Sequence, residues 1–291
     1  MANILSEIVD RKRAVVARLR ADPATRNFRD RALAIRANAN PYALSRALVG
    51  TPRCGVRSAQ RADPTLNIIA EFKRQSPSAG TIRSDISATD VATRYERGGA
   101  CAISVLTDEQ YFGGSILDLA AIRAITALPL LRKDFIVDEI QIYEAAAVGA
   151  DAVLLIVAAL DDAALTTLRA TAENELGLDA VVEVHTSEEL RRAVRADARI
   201  IGVNNRDLRT FRTSLQTSER LIAEAPQDRI MISESGLQDP NVLRHLQALR
   251  FRGFLIGEAL MRAHDPEAAL RDLIAATERA TLRATIHTND E

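Results

Sequence analysis

Lys73 closes the apolar run Ile68-Ile69-Ala70-Glu71-Phe72-Lys73 and is followed at once by Arg74-Gln75-Ser76-Pro77-Ser78-Ala79-Gly80. In a strand, side chains alternate between two faces, so Glu71 and Lys73 project together. An ammonium beside a carboxylate suits a solvated edge or a cavity in which protons are moved. Comparable endings recur in Leu131-Arg132-Lys133-Asp134-Phe135, Val182-Glu183-Val184-His185, Gly202-Val203-Asn204-Asn205-Arg206, Ser233-Glu234-Ser235-Gly236 and Ile256-Gly257-Glu258. Taken singly, each is ordinary: Lys133 as a surface lysine, Glu183 as an edge charge, Asn204 and Arg206 as turn or cap residues. An unpaired Glu183 inside an apolar strand would be prohibitively costly. Six coincident polar strand ends favour a site.

The elements that must position these groups follow from periodicity. β-branched runs at 67–73, 102–107, 128–133, 152–158, 179–184, 200–204, 229–233 and 253–256 alternate with segments of helical spacing at 88–97, 117–126, 139–148, 163–175, 187–194, 215–224, 242–248 and 266–282. Eight such units in about two hundred residues predict a (β/α)8 barrel, with polar strand ends gathered at its C-terminal rim. The strands are apolar on both faces, as a barrel wall between interior and helices requires. An open doubly wound sheet would call for GxGxxG after the first strand, where the chain reads Ser-Pro-Ser-Ala-Gly. Residues 1–65 are expected to form a helical extension: a first amphipathic helix carrying Leu5, Ile8, Val9, Val15, Val16 and Leu19, a second over 28–37 and a third over 42–48. It should lie over a mouth or the bottom of a barrel spanning 66–282, and 283–291 should be a flexible tail.

Composition narrows the function classes. A net charge of −1 offers no basic field for nucleic acid or an anionic membrane. The longest apolar run, Ala152 to Leu160, is too short for a bilayer, and the opening segment lacks a signal-peptide core. Cys54 and Cys101 lie far apart, which fits a reducing, cytoplasmic compartment. Neither they nor the four histidines have metal-ligand spacing. The glycine turns Ser235-Gly236 and Gly257-Glu258 follow the seventh and eighth strands, where barrels of this kind hold phosphate on backbone N–H groups. Ser76 is placed to add a hydroxyl, and Glu258 would offer its N–H with its carboxylate turned away. A small phosphorylated substrate is expected.

Five segments, 71–78, 104–115, 131–136, 204–208 and 234–236, resemble indole-3-glycerol phosphate synthase in order and approximate spacing. The Lys-x-x-Ser-Pro-Ser and Lys-Asp-Phe pieces together are the most specific. The likeness covers about residues 67–262, with a weaker echo in the opening helix. It implies a step of tryptophan biosynthesis: 1-(2-carboxyphenylamino)-1-deoxyribulose 5-phosphate cyclises with loss of carbon dioxide and then water, with neither metal nor organic cofactor. It also implies a monomer, with weak association with other tryptophan-pathway enzymes open.

By the same resemblance, Lys133 is the general acid and Glu183 the general base. Lys73 pairs with the substrate carboxylate and could also protonate the leaving hydroxyl. Glu71 orients Lys73, and Asn204 bonds the reacting hydroxyls. Arg206 is a neighbouring carboxylate contact. Phosphate falls to Ser76, Gly236, Gly257 and the Glu258 backbone, with Ser235 bridging phosphate and hydroxyl. Phe112, Leu131 and Phe135 wall the anthranilate ring. Lysines in a partly desolvated cavity are expected to have lowered pKa values. Two departures stand out: an unusually long stretch from Arg20 to Asp63, and Ala79 where the family often has a base. The rival phosphoribosylanthranilate isomerase would use a Cys/Asp pair, but Cys101 opens its strand and so lies at the wrong end. A silent phosphate-binding module would have lost Lys133 or Glu183.

Overall fold

The computed structural model describes residues 4–49, 66–207 and 210–287; Cys54, Leu208 of the fourth matching segment and residues 288–291 of the expected tail lie outside them. Eight parallel strands, β1 (Ile68–Phe72), β2 (Ala102–Leu106), β3 (Leu130–Lys133), β4 (Ala152–Ile156), β5 (Asp179–Val184), β6 (Ile200–Asn204), β7 (Ile230–Glu234) and β8 (Gly253–Ile256), pair in chain order. The circle closes where β1 bonds both β2 and β8. Alternation then sorts every strand. On β1, Ile68, Ala70 and Phe72 face the helices while Ile69 faces the interior; on β5, Ala180, Val182 and Val184 face out and Val181 faces in. Inward parity therefore carries Glu71 and Glu183 to the upper end of the barrel interior.

Helices cover the outside: α4 (Ala88–Gly98), α5 (Glu109–Phe112), α6 (Ile116–Arg123), α7 (Glu139–Ala147), α8 (Asp162–Ala170), α9 (Ser187–Arg195), α10 (Gln216–Glu224), α11 (Pro240–Ala248), α12 (Glu258–Arg262) and α13 (Pro266–His287). Most begin where a short polar side chain accepts an otherwise orphaned N–H, as Ser87, Asp108, Asp138, Asp161, Thr186 and Asp239 do. Four features depart from the periodicity reading. The short helices α5 and α12 and the hairpin pairing Gln75–Ser76 with Gly80–Thr81 carry too few residues to show a period. β7 continues one residue further, through Glu234. α8 ends in a π-turn at Thr171–Glu175. Finally, α13 runs to His287, five residues past the helical spacing read over 266–282.

The N-terminal segment precedes the barrel as three helices, α1 (Ile4–Ala21), α2 (Phe28–Arg36) and α3 (Ala43–Val49), which reach both ends of the cylinder. Leu44 and Leu48 of α3 join the interior cluster from below with Ile69, Ile200 and Ile232. Leu48 fits because β8 starts with Gly253; a Cβ there would stand 2.7 Å from its methyl. Leu5, Ile8 and Val9 of α1 join the same cluster from above. Each fully buried leucine or isoleucine contributes roughly 1.5–3 kcal/mol. Polar ties hold α1 over the upper rim. Lys12, 8% exposed, sets its ammonium 2.9 Å from Asp108 and 2.7 Å from Asp134. Tyr111 donates to Glu7 at 2.9 Å, and Arg20 meets Asp138 at 2.8 Å.

Candidate active site

A cavity of about 380 Å³ opens at the C-terminal ends of the strands. Lys73, Glu71, Lys133, Glu183, Asn204, Ser235, Ser76, Arg206, Gly236, Gly257, Glu258, Phe112 and Phe135 all line it. Leu131 does not. It faces inward but stands two residues below Lys133, roughly 7 Å deeper along the strand, where it packs the barrel interior. The apolar wall is built instead by Leu154, Ile156 and Leu255 together with Ile4, Leu5 and Ile8 of α1. Phe112 and Phe135 stand 6.2 Å apart, centroid to centroid, in a tilted arrangement.

Two linked ion clusters occupy the floor. Lys73 donates to Glu71 at 2.6 Å, the contact the two-residue spacing predicts. Lys133 donates to Glu183 at 2.9 Å and to Glu234 at 2.7 Å. Burial pulls the Lys133 pKa down, but the charges of Glu183, Glu234 and Glu71 outweigh it, so it stands above the usual lysine value. The expectation of a lowered lysine pKa is therefore reversed at Lys133: desolvation acts as anticipated, but three carboxylates act more strongly. Glu183 is pushed up by burial and pulled down further by Lys133 and His185, ending below the ordinary carboxylate range. Glu234 goes the other way. Burial, only partly offset by Lys133 and reinforced by Glu183 and Glu71, raises it to about 7. One of its oxygens has no hydrogen-bond partner. Glu183 and Glu234 thus divide one cation unequally.

Neighbouring glycines make this crowding possible. A Cβ on Gly202 would stand 2.3 Å from a Glu234 oxygen, and one on Gly257 would stand 2.3 Å from a Glu71 oxygen. Each acid lies flat against a neighbouring strand that offers no side chain.

Around the rim, Ser235 donates to the Asn204 side-chain oxygen Oδ1 at 2.9 Å, and that oxygen also accepts the Arg206 backbone N–H at 3.0 Å. Ser235 and Gly236 both hold left-handed backbone, φ 70° and 77°; for serine this is a strained geometry of the kind found at working sites. Ser76 accepts the Ala79 N–H at 3.2 Å, fastening the turn after β1. Arg206 donates to Ser78 at 3.0 Å and lies 3.7 Å from Glu258, bridging the loops after β1, β6 and β8. The Glu258 carboxylate is occupied by Arg206 and by Arg262 at 3.1 Å, so it is turned toward cations. Gly257 caps α12 with no side chain between its N-terminal N–H groups and the cavity.

Asp134 is a support the motif reading passed over. Its carboxylate meets Lys12 at 2.7 Å, Thr107 at 2.7 Å, Arg132 at 3.2 Å and the Phe135 N–H at 2.8 Å. Burial would raise its pKa, but Lys12 and Arg132 hold it below the usual range. It joins α1 to the strand that carries Lys133. Glu234, named among the polar strand ends, was given no role in the site. Inward parity from Ile232 would have placed Glu234 in the barrel. Among the described residues no group of three or more His, Cys, Asp or Glu side chains could hold a metal ion, and no helix is long and apolar enough to cross a membrane.

Comparison with known proteins adds sequence kinship to this geometry. A family model described as indole-3-glycerol phosphate synthase matches residues 5–273. The protein of that name from Aromatoleum aromaticum is 44% identical over 273 residues, which is 94% of this chain and 99% of the relative. That from Acidithiobacillus ferrooxidans is 48% identical over 229 residues, 78% and 87% of the two chains. A solved 3-hexulose-6-phosphate synthase superposes with a TM-score of 0.55 at 16% identity over 72% of this chain and 99% of that one. At that identity the likeness speaks for the fold alone.

Proposed function

The chain belongs to the indole-3-glycerol phosphate synthase family and catalyses that family's carboxy-lyase step in tryptophan biosynthesis; on that premise we propose how its residues divide the work. The observation that carries the reading is the Lys133 ammonium held between two buried carboxylates in the cavity that also receives Lys73.

The substrate phosphate seats on the N–H groups of Gly236, Gly257 and Glu258 with the Ser76 hydroxyl, at the turn-and-helix end that suits an anion. The anthranilate ring lies toward Phe112 and Phe135, against the apolar wall that α1 completes. Lys73 takes the ring carboxylate. Arg206 is a second cation within reach, once freed from Ser78.

In the first step the carboxylate-bearing ring carbon attacks the ribulose carbonyl carbon. The carbonyl oxygen takes a proton from Lys133, and carbon dioxide leaves with its bonding pair returned to the ring. A Lys133 pKa above the ordinary value makes it a weaker acid than a lowered one would. The ammonium stays charged in the resting site, and the oxygen becomes a strong base as its carbon turns tetrahedral. In the second step Glu183 accepts a proton from the ring system while the hydroxyl departs as water, protonated by Lys73. Asn204 and Ser235 hold the two hydroxyls in line. Glu71 fixes Lys73, and Glu234 shares Lys133 with Glu183.

The test is direct because the chain has no tryptophan. Adding the carboxyphenylamino substrate should produce indole fluorescence, and folded protein giving none across a broad pH range would end the reading.

A further inference from the structure

His185 stands two residues beyond Glu183, its side chain 12% exposed, behind the base and outside the cavity lining. Its Nδ1 faces Glu189 Oε2 at 3.1 Å, and the same oxygen accepts the His185 backbone N–H at 2.7 Å. Glu189 therefore fixes both the backbone and the plane of the ring. On the opposite side Nε2 lies 3.5 Å from Glu183 Oε1, an ion-pair distance at which no hydrogen bond is formed, while Glu183 Oε2 accepts from Lys133 at 2.9 Å. Each Glu183 oxygen thus has a different nitrogen facing it.

A neutral ring that gives its Nδ1 proton to Glu189 would turn a bare lone pair toward a carboxylate in a buried site. Only the doubly protonated ring has a donor for each side. Three acids act on it, Glu183 at the end of β5, Glu189 on α9 and Glu234 on β7, and the Lys133 ammonium stands across the Glu183 carboxylate on its other oxygen. Burial opposes the cation, yet these three outweigh it and raise the pKa above 6.5.

We propose that His185 is a positioning residue, an imidazolium bridging Glu189 and Glu183 that holds the Glu183 carboxylate in its working orientation without touching substrate. The inference rests on the reading of Glu183 as base. His185 keeps its proton throughout, and its hold is lost once pH rises through its folded pKa, which places an alkaline limb on kcat.

The experiment compares His185→Leu and His185→Gln with the wild type by indole fluorescence across pH. His185→Leu should lower kcat by about 10–100-fold, the scale on which supporting partners act, with KM within about twofold. His185→Gln keeps a donor near the Nε2 position and should recover most of the rate without the alkaline limb. A folded His185→Leu with wild-type kcat, a loss confined to KM, or a glutamine variant no better than leucine would each overturn the proposal. ¹⁵N NMR of the histidine rings in the full chain gives a reading that needs no His185 variant. One ring should remain doubly protonated above pH 6.5 and lose that property in Glu183→Gln; four rings all neutral there would overturn it too. Full turnover in Glu183→Gln would sink the base assignment, whereas an inactive Glu183→Gln beside a fully active His185→Leu would sink this inference alone.

Discussion

The two ends of the barrel both bury carboxylates, but they treat them differently. At the lower end Asp151, just before β4, is held by Arg36 at 3.3 Å, Arg123 at 2.9 Å and the Leu130 N–H at 3.1 Å. Asp179, which opens β5, accepts the Ser45 N–H of α3 at 2.9 Å. The partners there are guanidinium and backbone, groups that do not change protonation near neutrality. Leu44 and Leu48 fill the space between. Each end leaves one carboxylate oxygen without a hydrogen bond, on Asp179 below and on Glu234 above, but in the upper cavity the partners are lysines and one ammonium serves two acids beside open space. One end spends its charges on closing the chain over the barrel, and the other keeps them unbalanced and reachable. The same residue types therefore mean stability below and proton chemistry above.

Substitutions test that division. Lys133→Ala should lower kcat by about 10²–10⁴-fold, the usual worth of a positioned acid. It also strands Glu183 and Glu234 without their cation, so the variant's stability should fall as pH rises from 5 to 8, read as Tm at each pH. A variant with wild-type turnover would remove Lys133 from the mechanism. Asp151→Ala should do the reverse, costing about 3 kcal/mol in denaturant unfolding by leaving Arg36 and Arg123 unpaired while kcat at 25 °C stays within about twofold. A large kcat loss in a folded Asp151 variant would erase the contrast between the ends.

Lys12→Met probes the lid that α1 forms. Without Lys12, Asp108 and Asp134 lose their shared cation and the wall of Ile4, Leu5 and Ile8 loosens. KM should rise about tenfold with a smaller change in kcat, the pattern of lost binding. The smallest effect is expected from Glu234→Gln. Glu234 binds its proton more tightly folded, near 7, than an ordinary glutamate at 4.5. Its contribution is complete below 4.5 and is lost as pH rises through about 7. The variant should therefore gain Tm relative to wild type between pH 5 and pH 8, by a few degrees at ~2–4 °C per kcal/mol. A constant difference across that range would show that Glu234 ionises normally.

What could be read in advance depended on whether it was local. The pairing of Glu71 with Lys73 follows from strand alternation alone, and the eightfold strand–helix count fixed the rim on which polar ends must meet. Leu131 was placed at the ring wall by resemblance alone; strand rise sets it one layer below the residues that line the cavity. Glu234 was counted among the polar strand ends but given no role, because its contact with Lys133 joins β3 to β7 across the barrel. The direction of the Lys133 shift was misjudged for the same reason. Burial can be guessed from an apolar strand, but the number of carboxylates that converge from β1, β5 and β7 is a tertiary fact. The amphipathic stripe of α1 announced a buried face without saying that this face would wall the cavity.

The most direct test is a crystal structure with indole-3-glycerol phosphate bound. The phosphate should lie on the Gly236 and Gly257 N–H groups, the indole ring beside Phe112 and Phe135, and Lys133 and Glu183 within hydrogen-bonding reach of the atoms that changed. Product bound away from the strand 7–8 turns, or with Lys133 and Glu183 remote from the new ring, would contradict the account.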